Sequence, residues 1–112
     1  MALLSEATHF GNLYYLSGQI GRLPGSSEFA GEDIASQAEQ AAKNIEAVLQ
    51  ANGMGLENII KANCYLTSMD NYGPFNEVYA RYFTSAPSRT CVAVRELPFN
   101  ALCEIEVVAV KP

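Results

Sequence analysis

One arginine and two acidic residues near the C-terminal end of the chain have the types that small-molecule chemistry uses. Arg89 lies two residues before Cys91 in one extended-looking run, and Glu104 lies two before Glu106 in the next. Side-chain direction repeats every two residues along a strand, so each pair shares a face. A guanidinium fork grips a carboxylate with two parallel hydrogen bonds, which makes Arg89 a natural anchor for a small organic acid. A glutamate beside it could orient and deprotonate a water. If the two faces meet, cation and carboxylate share a site. A plain cross-strand ion pair between Arg89 and a glutamate satisfies the same spacing, and spacing alone leaves both readings open.

Other chemistries lack their usual residues. The chain has no Gly-x-Gly-x-x-Gly, P-loop or Cys-x-x-Cys motif, and His9 is its only histidine, so dinucleotide, nucleoside-triphosphate and zinc sites are not expected. A Ser-His-Asp triad would have to use His9, beside Phe10, with no nucleophile elbow in the sequence. Cys64, Cys91 and Cys103 are odd in number, show no metal-ligand spacing and lie in apolar stretches, which fits reduced thiols in the cytosol.

The elements that must position these residues are legible in outline. Leu13 to Leu16 reads as a strand, with residues 3 to 10 as its partner. The glycine-, proline- and serine-bearing stretch 21 to 31 reads as a loop, and Asp33 as the N-cap of a helix over residues 33 to 51. Ile34, Ala38, Ala41, Ile45, Val48 and Leu49 recur there at helical spacing, and Asn52-Gly53 supplies the stop. Residues 59 to 67 alternate as a strand with two different faces, and Asp70 is expected to cap a second helix over 71 to 83. The stripe Tyr72, Phe75, Tyr79 and Tyr82 on that helix reads as core packing. Strands over 89 to 96 and 102 to 110 flank a turn at Pro98 to Ala101. The order is β-β-α-β-α-β-β, an α+β layer whose helices cover one face of a mixed sheet and leave the other for an oligomer to cover.

Length and charge bound the rest. At 112 residues the chain reads as a single domain, 1–112, and no apolar run reaches the ~20 residues of a membrane span. Neither a span nor a secretion signal is expected. The net charge is −5 and the seven basic residues are scattered singly, which argues against a nucleic-acid surface.

Several strings then occur in order: Leu4-Ser5-Glu6-Ala7, Gly11-Asn12, Ser17-Gly18-Gln19-Ile20, Gln37 to Leu49, Ile60-Lys61-Ala62, Asn76-Glu77-Val78-Tyr79 with Tyr82-Phe83, Pro87-Ser88-Arg89-Thr90, and Glu104 to Ala109. Together they resemble the RidA/YjgF family, also called the L-PSP family, over essentially the whole chain. The resemblance implies a chorismate-mutase-like α+β fold assembled as a trimeric barrel, with clefts between neighbouring subunits. It implies hydrolysis of 2-iminobutanoate and 2-iminopropanoate to 2-keto acids and ammonia, in the cytoplasm and without a cofactor or metal. By motif, Arg89 would bind the substrate carboxylate, Glu104 and the backbone carbonyl of Cys91 would hold the attacking water, and Ser17, Gly18 and Asn76 would line the cleft.

Plainer roles are open for each: a strand-ending turn at Ser17-Gly18, an ordinary polar helix position at Asn76, a small buried hydrophobe at Cys91. The chain departs from the family pattern at Leu4, where many members have tyrosine, at Gly21 in place of proline, in a short connection between Phe83 and Pro87, and in the serine and threonine of Pro-Ser-Arg-Thr. Two other functions compete: a non-enzymatic, chaperone-like or ligand-binding trimer, and an endoribonuclease acting on single-stranded RNA.

Overall fold

A computed structural model describes residues 2 to 112. Five strands and two helices follow in the order expected: β1 (Ala7–Phe10), β2 (Leu13–Leu16), α1 (Ile34–Ala51), β3 (Ile59–Leu66), α2 (Tyr72–Tyr82), β4 (Ser88–Ala93) and β5 (Cys103–Val110). They form one sheet in the order β1-β2-β5-β3-β4. β5 lies at its centre, antiparallel to both β2 and β3, while β4 runs parallel to β3 after the α2 crossover and forms an edge.

Helix α1 starts where expected because the Asp33 carboxylate accepts the Ser36 backbone N–H at 3.1 Å, and it stops at Ala51 ahead of Asn52 and Gly53, whose φ of 77° suits a residue without a side chain. Helix α2 starts differently. The Ser68 hydroxyl accepts the Asp70 N–H at 3.1 Å and caps a short 3-10 turn, Met69–Asn71, that leads into α2. Asp70 is therefore a turn residue and not the cap. The N-terminal strand is four residues long, not eight, because its partner β2 offers only four residues to pair with. β4 stops at Ala93, after its last pairing with Leu66 at the end of β3.

Both helices pack on the same side. β5 alternates strictly: Cys103, Ile105, Val107 and Ala109 are buried beneath the helices, while Glu104, Glu106, Val108 and Val110 point to the uncovered face. Ala38, Ala41, Ile45, Leu49, Phe75 and Val78 complete the core from the helix side. At the far end, Phe99 and Asn100 adopt positive φ in the turn before β5, and the Phe99 ring stacks on the Arg22 guanidinium at 4.4 Å. Among the described residues no helix is long and apolar enough to cross a membrane, and no cluster of metal-ligating side chains occurs.

Candidate functional site

Strand register decides which side each candidate faces. Arg89 pairs with Ala62 and Cys91 with Cys64, and both partners are fully buried on the helix side. Glu104 pairs with Tyr65 and Glu106 with Asn63, on the uncovered side. Within one chain, then, the faces of β4 and β5 do not meet, and the expected juxtaposition of Arg89 with a glutamate does not occur. The cross-strand ion pair falls for the same reason: among the described residues the salt bridges are Lys43–Glu39 and Arg81–Glu39 only.

What holds Arg89 is helix α2. The connection from Phe83 to Pro87 is a tight turn, closed by Ala86 N–H donating to the Phe83 carbonyl at 3.2 Å, so β4 begins directly beneath the helix. Tyr72, Asn76 and Tyr79 recur at i, i+4 and i+7 and line the helix face over Arg89. Nη1 of Arg89 donates to Asn76 Oδ1 at 2.7 Å and Nη2 to the Tyr72 hydroxyl at 3.1 Å. The guanidinium also lies 4.7 Å from the Tyr79 ring centre and 5.7 Å from that of Tyr72. All these partners are neutral. A half-buried cation is thus oriented by three side chains and left without a counterion among the described residues.

The sequence assigned the aromatic stripe of α2 to the core, which holds for Phe75 and in part for Tyr79 and Tyr82. Tyr72 is instead 41% exposed, with its hydroxyl on Arg89. The i, i+4, i+7 spacing of Tyr72, Asn76 and Tyr79, polar tips on one helical face, was the available signal. Cys91 is half-buried beside Arg89. Burial raises its thiol pKa and the nearby guanidinium only partly offsets this, so the sulfur stays protonated at neutral pH and is a poor nucleophile. The three cysteines are free.

The second group of candidates lies on the other side of the sheet. Gln19 exchanges both backbone hydrogen bonds with Ile105, at 2.8 and 3.0 Å, which draws the Ser17–Gly18 segment alongside the start of β5. Gly18 meets Glu104 closely: a Cβ at that position would lie 2.8 Å from the glutamate Cδ and Oε2. Ser17 is tied down by its hydroxyl, which donates to the Ser5 carbonyl at 2.6 Å, and by its N–H on the Glu6 carbonyl at 2.9 Å. Leu4, 70% exposed, precedes this anchor. The Glu104 carboxyl is shifted upward, first by burial and then by the negative charge of Glu106.

The six candidates therefore form two groups of three, Ser17-Gly18-Glu104 and Asn76-Arg89-Cys91, on opposite faces. His9 belongs to neither. It stacks on Tyr14 at 4.6 Å on β1, at the opposite edge of the sheet from β4.

Comparison with known proteins gives this arrangement a context. The profile of the family described as Endoribonuclease L-PSP matches residues 1–111. The mitochondrial protein MMF1 of Saccharomyces cerevisiae is 40% identical over 111 residues, covering 98% of this chain and 76% of that protein. The chloroplastic Reactive Intermediate Deaminase A of Arabidopsis thaliana is 36% identical over 106 residues, covering 94% and 57% respectively. Among solved structures, Escherichia coli TdcF with bound serine superposes with a TM-score of 0.93 at 30% identity, covering 100% of this chain and 91% of that one. Matched along its length in sequence and in fold, the chain belongs to the L-PSP family, the group that includes the RidA and YjgF proteins.

Proposed function

We propose that this protein is a hydrolytic deaminase that converts 2-imino acids, 2-iminobutanoate and 2-iminopropanoate among them, to 2-keto acids and ammonia. The observation that carries the reading is Arg89: a guanidinium fixed by neutral acceptors on both terminal nitrogens, with hydrogens left over and no carboxylate among the described residues to receive them. That is the arrangement a carboxylate ligand completes. The relative named as a reactive intermediate deaminase and the neighbour solved with serine, itself a small amino acid, support the substrate class.

The two groups of candidates would combine when the uncovered face of one copy meets the β4 edge of the next, in a cyclic homotrimer with three clefts between subunits. Tyr15 and Val92, on that face and each at least 40% exposed, favour such burial. In the cleft Arg89 binds the substrate carboxylate and Asn76 keeps the guanidinium plane fixed. Glu104 of the neighbouring copy and the Cys91 backbone carbonyl hold a water against the imine carbon. Glu104 takes a proton as the water oxygen bonds to that carbon and the C=N π pair moves to nitrogen. It then returns this proton to the amine, and ammonia leaves as the C–N bond breaks, the C=O bond forms and the hydroxyl proton passes to Glu104, which releases it to the departing ammonia. The protonated imine carbon is already electrophilic, so orientation and one positioned base suffice and no cofactor enters.

Ammonia release from 2-aminoacrylate generated in situ tests this. Release well above the enzyme-free rate, lost in Arg89→Ala, is expected. No excess over the enzyme-free rate would leave a binding module as the reading. RNA cleavage by acid–base catalysis finds less support, since the single histidine lies at the opposite sheet edge from Arg89.

A further inference from the structure

Glu106 is unused by the reaction as proposed, yet it is more tightly bound than Glu104. Its Oε1 accepts two donors from β3, the Asn63 amide at 3.2 Å and the Tyr65 hydroxyl in a short hydrogen bond. Tyr65 is the register partner of Glu104, not of Glu106, so its side chain leans along the strand to reach the second carboxylate. Both donors sit on one oxygen, which fixes where the carboxylate stands on the sheet face. The phenol keeps its own proton strongly, its pKa pushed up to about 12 chiefly by this bond.

We propose that Glu106 is a positioning residue for the reaction: clamped by Tyr65 and Asn63 one pleat from Glu104 on the same face, it fixes a second carboxylate beside the one that activates the water. This rests on the reading of Glu104 as the water-holding group. A solvated glutamate is too weak a base to take a proton from water readily near neutral pH; burial raises the proton affinity of Glu104 first, and the second carboxylate on the same strand face adds to it.

The other groups that face Glu104 do not supply this effect. On β3, Lys61 lies further along the face opposite Val108, with its ammonium on the Thr90 hydroxyl at 3.2 Å. Tyr65 is neutral, β4 contributes Thr90 and Val92, β2 contributes Tyr15, and the segment after β2 presents Gly18; Glu6 lies beyond it with an exposed side chain. In an assembled cleft Arg89 of the second copy would pull the Glu104 pKa down. Glu106 opposes that pull.

The test is to follow the Glu104 side-chain carboxyl by 13C NMR in glutamate-labelled protein while measuring the pH profile of imine hydrolysis, in the parent, Glu106→Gln and Glu106→Asp. Glu106→Gln keeps the shape and both accepted hydrogen bonds but removes the charge. The Glu104 midpoint and the acidic limb of the rate should move down together, with the plateau rate falling about two- to threefold from weaker basicity. Glu106→Asp keeps the charge and should restore most of the parent midpoint although it shortens the reach to Tyr65. A purely structural role predicts the reverse order, with Gln benign and Asp damaging, and that result overturns the inference, as does an unmoved Glu104 midpoint in Glu106→Gln. Full turnover in Glu104→Gln is a separate outcome: it overturns the role of Glu104 itself, and the inference with it.

Discussion

Arg89 and Glu104 lie on opposite faces of a single sheet, one tucked under helix α2 at the β4 edge, the other beside Gly18 on the uncovered side. Any chemistry that uses both needs two copies of the chain. In the trimer proposed above, apolar side chains exposed on the uncovered face would be buried as the site is completed.

Arg89→Lys keeps the charge and loses the fork. Lysine cannot hold Asn76 and Tyr72 while presenting two parallel donors, so deaminase activity should fall roughly 10- to 100-fold. Thermal stability should change little, because the lost partners are neutral and the Tyr72 contact lies at the surface. Rates and melting curves on the same preparation check this; a matched fall in both would assign Arg89 a structural role.

Glu104→Gln should abolish most turnover and yet not lower stability at neutral pH. The folded-state pKa of Glu104 is raised above its ordinary 4.5, so its contribution to stability is present below that value and is lost as pH rises through the folded-state pKa. Glutamine, uncharged throughout, avoids that loss. The variant should melt at or above the parent temperature at pH 7, and the gap should close as pH drops below about 4.5. Melting below the parent at pH 7 would mean the carboxylate stabilises the fold.

Gly18→Ala probes the contact between the cleft-lining segment and the base. The new methyl would approach the Glu104 carboxyl within 2.8 Å, and the flexible side chain, not the backbone, would yield. Activity should drop about tenfold or more through a displaced base, while folding is nearly unaffected. Parent-like kcat with a raised KM would instead place Gly18 in substrate binding alone.

Gln37 is a stability prediction away from the chemistry. It is 4% exposed, donates to the Gly31 carbonyl at 3.0 Å and accepts the Leu102 N–H at 2.9 Å, tying the long loop to the start of β5. Gln37→Leu strands both backbone groups and should cost about 2 to 4 kcal/mol, read as a lowered denaturation midpoint. An unchanged midpoint would mean water replaces both bonds.

Much of this was legible in the sequence because the signals are local. Period-2 alternation in β3 and β5 and period-3.6 spacing in α1 follow directly from which side chains must be buried, and they located every strand and helix to within a few residues. Boundaries set by hydrogen bonds between distant segments were not legible: β1 is cut short by its partner, and Ser68 takes the turn that Asp70 was expected to cap. The candidate residues were named through the family strings, but their division between two faces was not legible. That depends on register across β3, β4 and β5, and a one-residue slip would invert it. Tyr72 was missed because an aromatic at helical spacing looks like core until the strand it covers is known.

The central claim, that each site takes Arg89 from one copy and Glu104 from another, has a direct measurement. Arg89→Ala and Glu104→Gln are each prepared as inactive protein, then unfolded together in equal amounts and refolded, and ammonia release from 2-iminopropanoate is assayed. In a randomly mixed trimer a site is intact when its Arg89 donor and its Glu104 donor each happen to be the competent variant. Half of each choice leaves about a quarter of the sites whole, so the mixture should recover about a quarter of parent activity. Activity in the refolded mixture no higher than in either variant alone, with mixed assemblies demonstrated by mass spectrometry, would contradict the account.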